Sequence, residues 1–373
     1  MSDIRAVRLI FLMQPLVLGA WFPRIPQVQE TIGLGEGALA IALIGMPLGL
    51  LAALSFGSKI AEALGTRGLL TLGLGAYLLT MPLPAFATSW FALFLSLVFA
   101  GVAMAIAQLS LNVTATEVEA RSDRLIMNGC HGYWSVGVLI GAALGSVMAE
   151  FQVPPGYSLL LIAVVCIFPM LSIARLISDY AVPATGASEK NGKWPSKALI
   201  SISLFGFGVA TTEGAMADWL AVFMTNIHVV SPGMAGASYT IFALFIAIGR
   251  FSGDKLKARL EVSVLARYLA GIAIVGLTIA LFSPVIWATY LGVAMLGLGI
   301  SIGFPLAVSA AGVLPGKSSA GNVAILTQIS LCGFLLGPPV IGFVAEATDI
   351  RMGLAALYPA LILTFALARS LSR

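Results

Sequence analysis

The chain has 373 residues, is 59% hydrophobic and only 10% charged, and has a mean hydropathy of +1.02. Soluble domains carry about 25% charged residues, so this composition excludes a water-covered globular domain and fits a lipid-facing one. The net charge of +4 does not point to nucleic acid: the basic residues form short clusters between apolar runs, with no basic face interleaved with aromatics.

A membrane-spanning helix needs about 20 apolar residues. Runs of that length fall at 8–29, 37–57, 68–87, 90–114, 127–149, 157–177, 198–224, 233–252, 264–283, 286–310, 322–344 and 351–369. They predict an all-α integral membrane protein with twelve spans. Strands fit poorly, because the runs are too long and do not alternate. The opening "MSDIRAVRLIFLMQPLVLGAWF" is laid out like a signal peptide, but it has no small-residue cleavage site and runs on past Trp21. It is read as the first span. With both ends on one side, 18 of the 20 Lys and Arg residues lie toward the side of the termini and the even-numbered loops, and only Arg24 and Arg351 lie toward the other face. This bias predicts cytoplasmic termini in the inner (plasma) membrane.

In chain order, the first unusual charge is Arg24 in "WFPRIP" (21–26). Pro23 and Pro26 break the helix there and free backbone groups that need polar partners. Arg24 is expected to act as a gate by pairing with Asp218, or failing that with Glu213; Glu30 is a further candidate. The alternative is an arginine snorkelling to the interface. In the fourth span Gln108 and Asn112 offer neutral hydrogen bonds to a hydroxyl-rich solute, or serve helix packing alone. His131 opens the fifth span, and histidine exchanges protons near neutral pH; a structural hydrogen bond in the basic inner loop is the plainer role. Asn128 and Gly129 precede it, and Tyr133 and Trp134 follow. The spacing of Gly137, Gly141 and Gly145 lets a neighbouring helix approach closely.

The stretch "SDYAVPATGASEKNGKWPSK" (178–197) is rich in Ser, Gly and Pro and reads as a linker between two halves. Beyond it, "TTEGAMADWLAVF" (211–223) places Glu213 and Asp218 inside an apolar run. An ionisable residue within a span is a functional candidate by default, because hydrocarbon does not solvate it. Glu213 lies some 22 Å from the cytoplasmic start of its helix at about 1.5 Å per residue. The two carboxylates are about 140° apart on the helical wheel, flanking a stripe of Gly206, Ala210, Gly214, Ala217 and Ala221. That stripe is either a cavity wall or a close helix contact. Trp219 either stacks on a sugar-like ring or anchors the helix at the interface. Gln328 in the eleventh span is a further cavity candidate. Cys130, Cys166 and Cys332 lie in apolar runs without metal-ligand spacing. No phosphate loop, metal cluster or nucleophile–base set is present, so neither a cofactor nor an enzymatic reaction is expected.

The halves repeat. A shift of 196 sets 101–144 over 297–340, placing Gly101 on Gly297, Gly137 on Gly333 and Gly141 on Gly337. A shift near 192 sets "SKIAEALGTR" (58–67) over "RFSGDKLKAR" (250–259), with Glu62 on Asp254. The expected domains are a six-helix half at 1–177, the linker 178–197, and a second six-helix half at 198–373. They are related by a pseudo-twofold axis, with a site between the halves.

With this pattern the chain resembles the major facilitator superfamily over essentially its whole length. The family's Gly-x-x-x-Asp-x-x-Gly-Arg-like loop survives in part as Ser58, Glu62, Gly65 and Arg67, with Arg250 and Asp254 as the matching positions of the second half. "WFPRIP", "HGYWSVGVLIG" (131–141) and "EGAMADW" (213–219) are similar to the YbjJ- and MosC-type inner-membrane transporters, relatives of fucose permease. The resemblance implies secondary transport of a small polar solute, often with a proton, in a monomer within membrane lipid. Glu213, Asp218 and His131 are the candidates for proton coupling. The competing reading is drug or metabolite efflux by proton antiport. Such antiporters carry a proline where this chain has Ala142. A non-transporting sensor would normally bring a cytoplasmic output domain.

Overall fold

The computed structural model describes residues 2–54, 57–122, 124–178, 195–315 and 318–372, leaving aside the side chains at 54, 57–59, 61, 62, 128, 254 and 320. The linker positions 179–194 and the side chains of Ser58, Glu62, Asn128 and Asp254 thus lie outside the described residues. Among the described residues twelve helices are long and apolar enough to cross a membrane: α1 (Asp3–Ile32), α2 (Glu36–Ala53), α3 (Ala63–Phe86), α4 (Trp90–Ser122), α5 (Gly129–Glu150), α6 (Pro155–Leu176), α7 (Lys197–His228), α8 (Pro232–Gly253), α9 (Val262–Phe282), α10 (Ile286–Gly312), α11 (Gly321–Ala347) and α12 (Ile350–Ser372). Helices satisfy their backbone polar groups internally, which is what a bilayer interior demands.

Several helices outrun the apolar runs that announce them. α4 continues to Ser122, eight residues past the expected end, because a helix leaving hydrocarbon can be held by other means. Here Glu117 and Arg121 pair at 3.9 Å, and the Glu119 carboxylate accepts from the N–H groups of Ile126 and Met127, capping the next helix. α7 runs to His228 rather than 224, so Glu213 stands at its middle instead of past it. α8 stays helical to Lys257, five residues past the expected end at 252.

Breaks fall where the sequence demands them. α1 is interrupted at Gln14, before Pro15, and again by a 3-10 turn at Phe22–Arg24, and it ends on Gly33 at φ 74°. Gly65, at φ 66°, kinks the helical stretch Gly57–Thr80 near the start of α3. Two residues later, Arg67 donates to the Ile177 carbonyl at 2.9 Å and so caps the C-terminal end of α6. α10 breaks at Ser301–Ile302.

The chain divides into two compact units, Met1–Gly186 with Ser231–Ala237, and Ala187–Val230 with Ser238–Arg373. Hence the first residues of α8 group with the first unit. There Glu150 accepts from the Ser231 hydroxyl at 2.6 Å and from the Gly233 N–H at 3.1 Å.

Each unit is built on glycine-mediated helix contacts, and they repeat. In the first, a Cβ on Gly137, Gly141 or Gly145 of α5 would strike the carbonyls of Leu12, Leu16 and Ala20 in α1. In the second, the matching Gly333 of α11 abuts Phe207 and Thr211 of α7. Likewise Gly101 of α4 meets Met46 of α2, and its counterpart Gly297 of α10 meets Phe242 of α8. The internal repeat read from the sequence is therefore a repeat of packing.

Candidate functional site

The second unit gathers the charges. Glu213 at the centre of α7 accepts from Arg250 of α8, with Nη2 at 3.0 Å from Oε1 and 3.4 Å from Oε2. The Arg250 Nε donates to the Ser301 carbonyl at 3.4 Å, one of the groups freed by the break in α10. Each side chain keeps about a quarter of its surface exposed, 27% for Arg250 and 26% for Glu213. Tyr239 of α8 is buried and lies within electrostatic reach of Glu213, Asp218 and Arg250. Two carboxylates, a guanidinium and a phenol thus share one neighbourhood, contributed by α7 and α8 and braced by α10.

This neighbourhood was legible in part. Glu213 and Asp218 stand out as carboxylates in an apolar run. Arg250 does not: it stands near the end of its expected span, 233–252, and reads as the first residue of the basic loop repeat that follows. Tyr239 carries no charge and merges with its apolar neighbours. The small-residue stripe of α7 is a packing surface: Gly206 faces Ser330 and Gly214 faces the Phe334 ring, both on α11. Trp219 is completely buried, so it is not an interfacial anchor, and its indole N–H has no partner among the described residues. Gln328 is exposed on α11.

The first unit carries neutral polar groups. Gln14, at the break of α1, is completely buried. Its Oε1 accepts from the Trp134 indole of α5 at 3.2 Å and from the Gln108 amide of α4 at 3.5 Å. Its own Nε2 is unsatisfied among the described residues. Asn112 follows Gln108 by one turn and is half-buried. His131 is exposed and stacks edge-on against Phe11 at 5.7 Å, one turn of α5 before Trp134. So Gln108, expected from sequence, is brought together with Gln14 and Trp134. Gln14 escapes a search for charges, although an amide ahead of a proline in mid-span is itself a signal.

Arg24 is fully buried and does not snorkel. Within its own unit its guanidinium donates to the carbonyls of Gly145, at 3.4 Å, and of Val153. The sequence reading pairs it with Asp218 or Glu213, but Glu213 holds Arg250, and Glu30 is exposed. Among the described residues no cluster of His, Cys, Asp and Glu could hold a metal ion.

The pattern of the Major Facilitator Superfamily matches residues 9–332. The chain belongs to the major facilitator superfamily. It is 29% identical to an uncharacterised MFS-type transporter of Yersinia pestis over 99% of this chain and 95% of that protein. It is 27% identical to the membrane protein MosC of Rhizobium meliloti over 94% and 86% respectively. Among solved structures it superposes on the major facilitator transporter FucP in its outward conformation, with TM-score 0.68, 18% identity and coverage of 100% and 99%. The fold and family implied by the sequence motifs therefore hold, and the protein is a multi-pass membrane transporter of twelve helices.

Proposed function

We propose that this protein is a proton-coupled secondary transporter of a small hydroxyl-rich solute in the cytoplasmic membrane, with both termini inside. The observation that carries the reading is the Glu213–Arg250 pair halfway along α7. A carboxylate held by a guanidinium, yet a quarter exposed, can exchange its partner for a proton when water reaches it. Protonation removes the charge that fixes Arg250, and Arg250 is then free to bind elsewhere. A binding event that competes for Arg250 is thereby linked to proton uptake, and such linkage is what couples two fluxes. Asp218 and Tyr239, close by, extend the proton path.

The solute class follows from the neutral side chains. Gln108, Asn112 and Trp134 offer amide and indole groups suited to hydroxyls rather than to a fixed charge. Rocking of the two halves would expose such groups to each side in turn. The test is a thermal-shift screen of the purified protein, because a ligand of the folded state raises the melting temperature. Monosaccharides, polyols and cyclitols should supply the stabilising compounds. Stabilisation by hydrophobic amines, with none by polyols, would overturn this reading in favour of efflux.

A further inference from the structure

On the second unit, α9, α10 and α12 enclose a groove of about 800 Å³. Its apolar length is formed by Gly271, Ile272 and Val275 of α9, Met295 of α10 and Phe365 of α12. Two arginines stand at one end. Arg267 lies five residues into α9, and Arg369 lies in the last turn of α12. The Ser263 N–H donates to the Ser372 hydroxyl at 3.2 Å, which ties the start of α9 to the end of α12 and sets both arginines at the same membrane face.

Neither arginine is committed to a carboxylate. No ion pair among the described residues involves them. The Arg267 guanidinium rests over the Phe365 ring at 5.5 Å, and its Nε is buried without a hydrogen-bond partner among the described residues. The acidic neighbour, Glu261, is already engaged by the hydroxyls of Ser263 and Ser372. The groove opens through Val264, Tyr268 and Val275, whose side faces are 39%, 68% and 50% exposed. These residues belong to an apolar span.

We propose that this groove opens to lipid and binds one anionic phospholipid, its phosphate between Arg267 and Arg369 and an acyl chain along Gly271, Ile272 and Val275. The chemistry of each part matches. Guanidinium forks bind phosphate oxygens through charge-assisted hydrogen bonds. Basic pockets between spans at the cytoplasmic face suit acidic headgroups, and Tyr268 stands where the amphipathic rings of interfacial belts lie. Gly271 keeps the groove open: a Cβ there would come within 3.7 Å of the Phe365 ring, and a larger side chain would fill the space. This inference rests on the orientation proposed above, with both termini inside, but not on the solute or its coupling.

Native mass spectrometry of the purified protein tests it, with phosphatidylglycerol and phosphatidylcholine supplied at matched concentrations. The wild type should retain one phosphatidylglycerol at about tenfold lower concentration than phosphatidylcholine, as two charge-assisted contacts can supply. Arg267→Gln combined with Arg369→Gln should abolish that preference. Gly271→Leu, with both arginines intact, should weaken retention of either lipid, while Arg121→Gln on α4 should change nothing. Should the double arginine variant fail to fold, Arg369→Gln alone and Gly271→Leu decide the matter, since Arg369 is exposed. Equal retention of the two lipids, a preference unchanged in the arginine variants, or displacement by equimolar inorganic phosphate would overturn the proposal. The last outcome would identify a site for free phosphate.

Discussion

Gln14 shows how a single neutral side chain can organise a unit. Its carbonyl oxygen serves two donors from different helices, so Gln14→Leu leaves the Trp134 and Gln108 N–H groups without that shared acceptor. The expected loss is about 1–3 kcal/mol, read as a lower melting temperature, together with weaker solute binding; an unchanged melt would remove Gln14 from this role. Glu261, between α8 and α9, makes a pH-dependent contribution. Hydrogen bonds from Ser372 and Ser263 hold its carboxyl below the ordinary glutamate range. A depressed carboxyl contributes stability above the unfolded value and loses it as pH falls through the folded one. Ser263→Ala should therefore melt below wild type at neutral pH, and the gap should close as pH drops below about 4.3. A gap that stays constant with pH would assign the loss to packing alone.

At the scale of elements, the glycines set how closely helices approach. Replacing a mid-helix glycine by alanine gains about 1 kcal/mol from helix propensity where there is room. At Gly141 there is none, because the new methyl meets the Leu16 backbone of α1. At its repeat partner Gly337 the nearest atom, the Thr211 carbonyl oxygen, would stand 3.4 Å away, an ordinary contact. Gly141→Ala should thus lose about 1–3 kcal/mol, while Gly337→Ala should be neutral or stabilising; thermal melts of both variants check the contrast. These elements also mark what could be read from sequence. The twelve spans were legible because bilayer thickness fixes their length, and the glycine repeat because close packing needs the same residue in both halves. The ends of α4, α7 and α8 were not, since beyond the hydrocarbon a helix is held by caps and ion pairs that leave no hydropathy signal. Arg250 was concealed for another reason: it lies at the end of its expected span, beside a basic cluster, and so reads as part of the loop repeat rather than as the partner of Glu213.

At the scale of the whole molecule, a family fold carries the Glu213–Arg250 pair inside its second unit. If both termini are cytoplasmic, as we propose from the charge asymmetry, a reporter active only in the periplasm should be silent when fused after Arg373, and active when fused in the loop between α1 and α2. Activity at the C-terminus would reverse the orientation. The central claim is that Glu213 exchanges Arg250 for the coupling proton. It is tested most directly in proteoliposomes carrying Glu213→Gln, using the most stabilising solute from the screen. Glutamine keeps the shape and a hydrogen bond to Arg250 but cannot take up the proton. Counterflow of the solute should then persist, while accumulation driven by a pH gradient disappears. Accumulation at the wild-type level in Glu213→Gln would contradict the account.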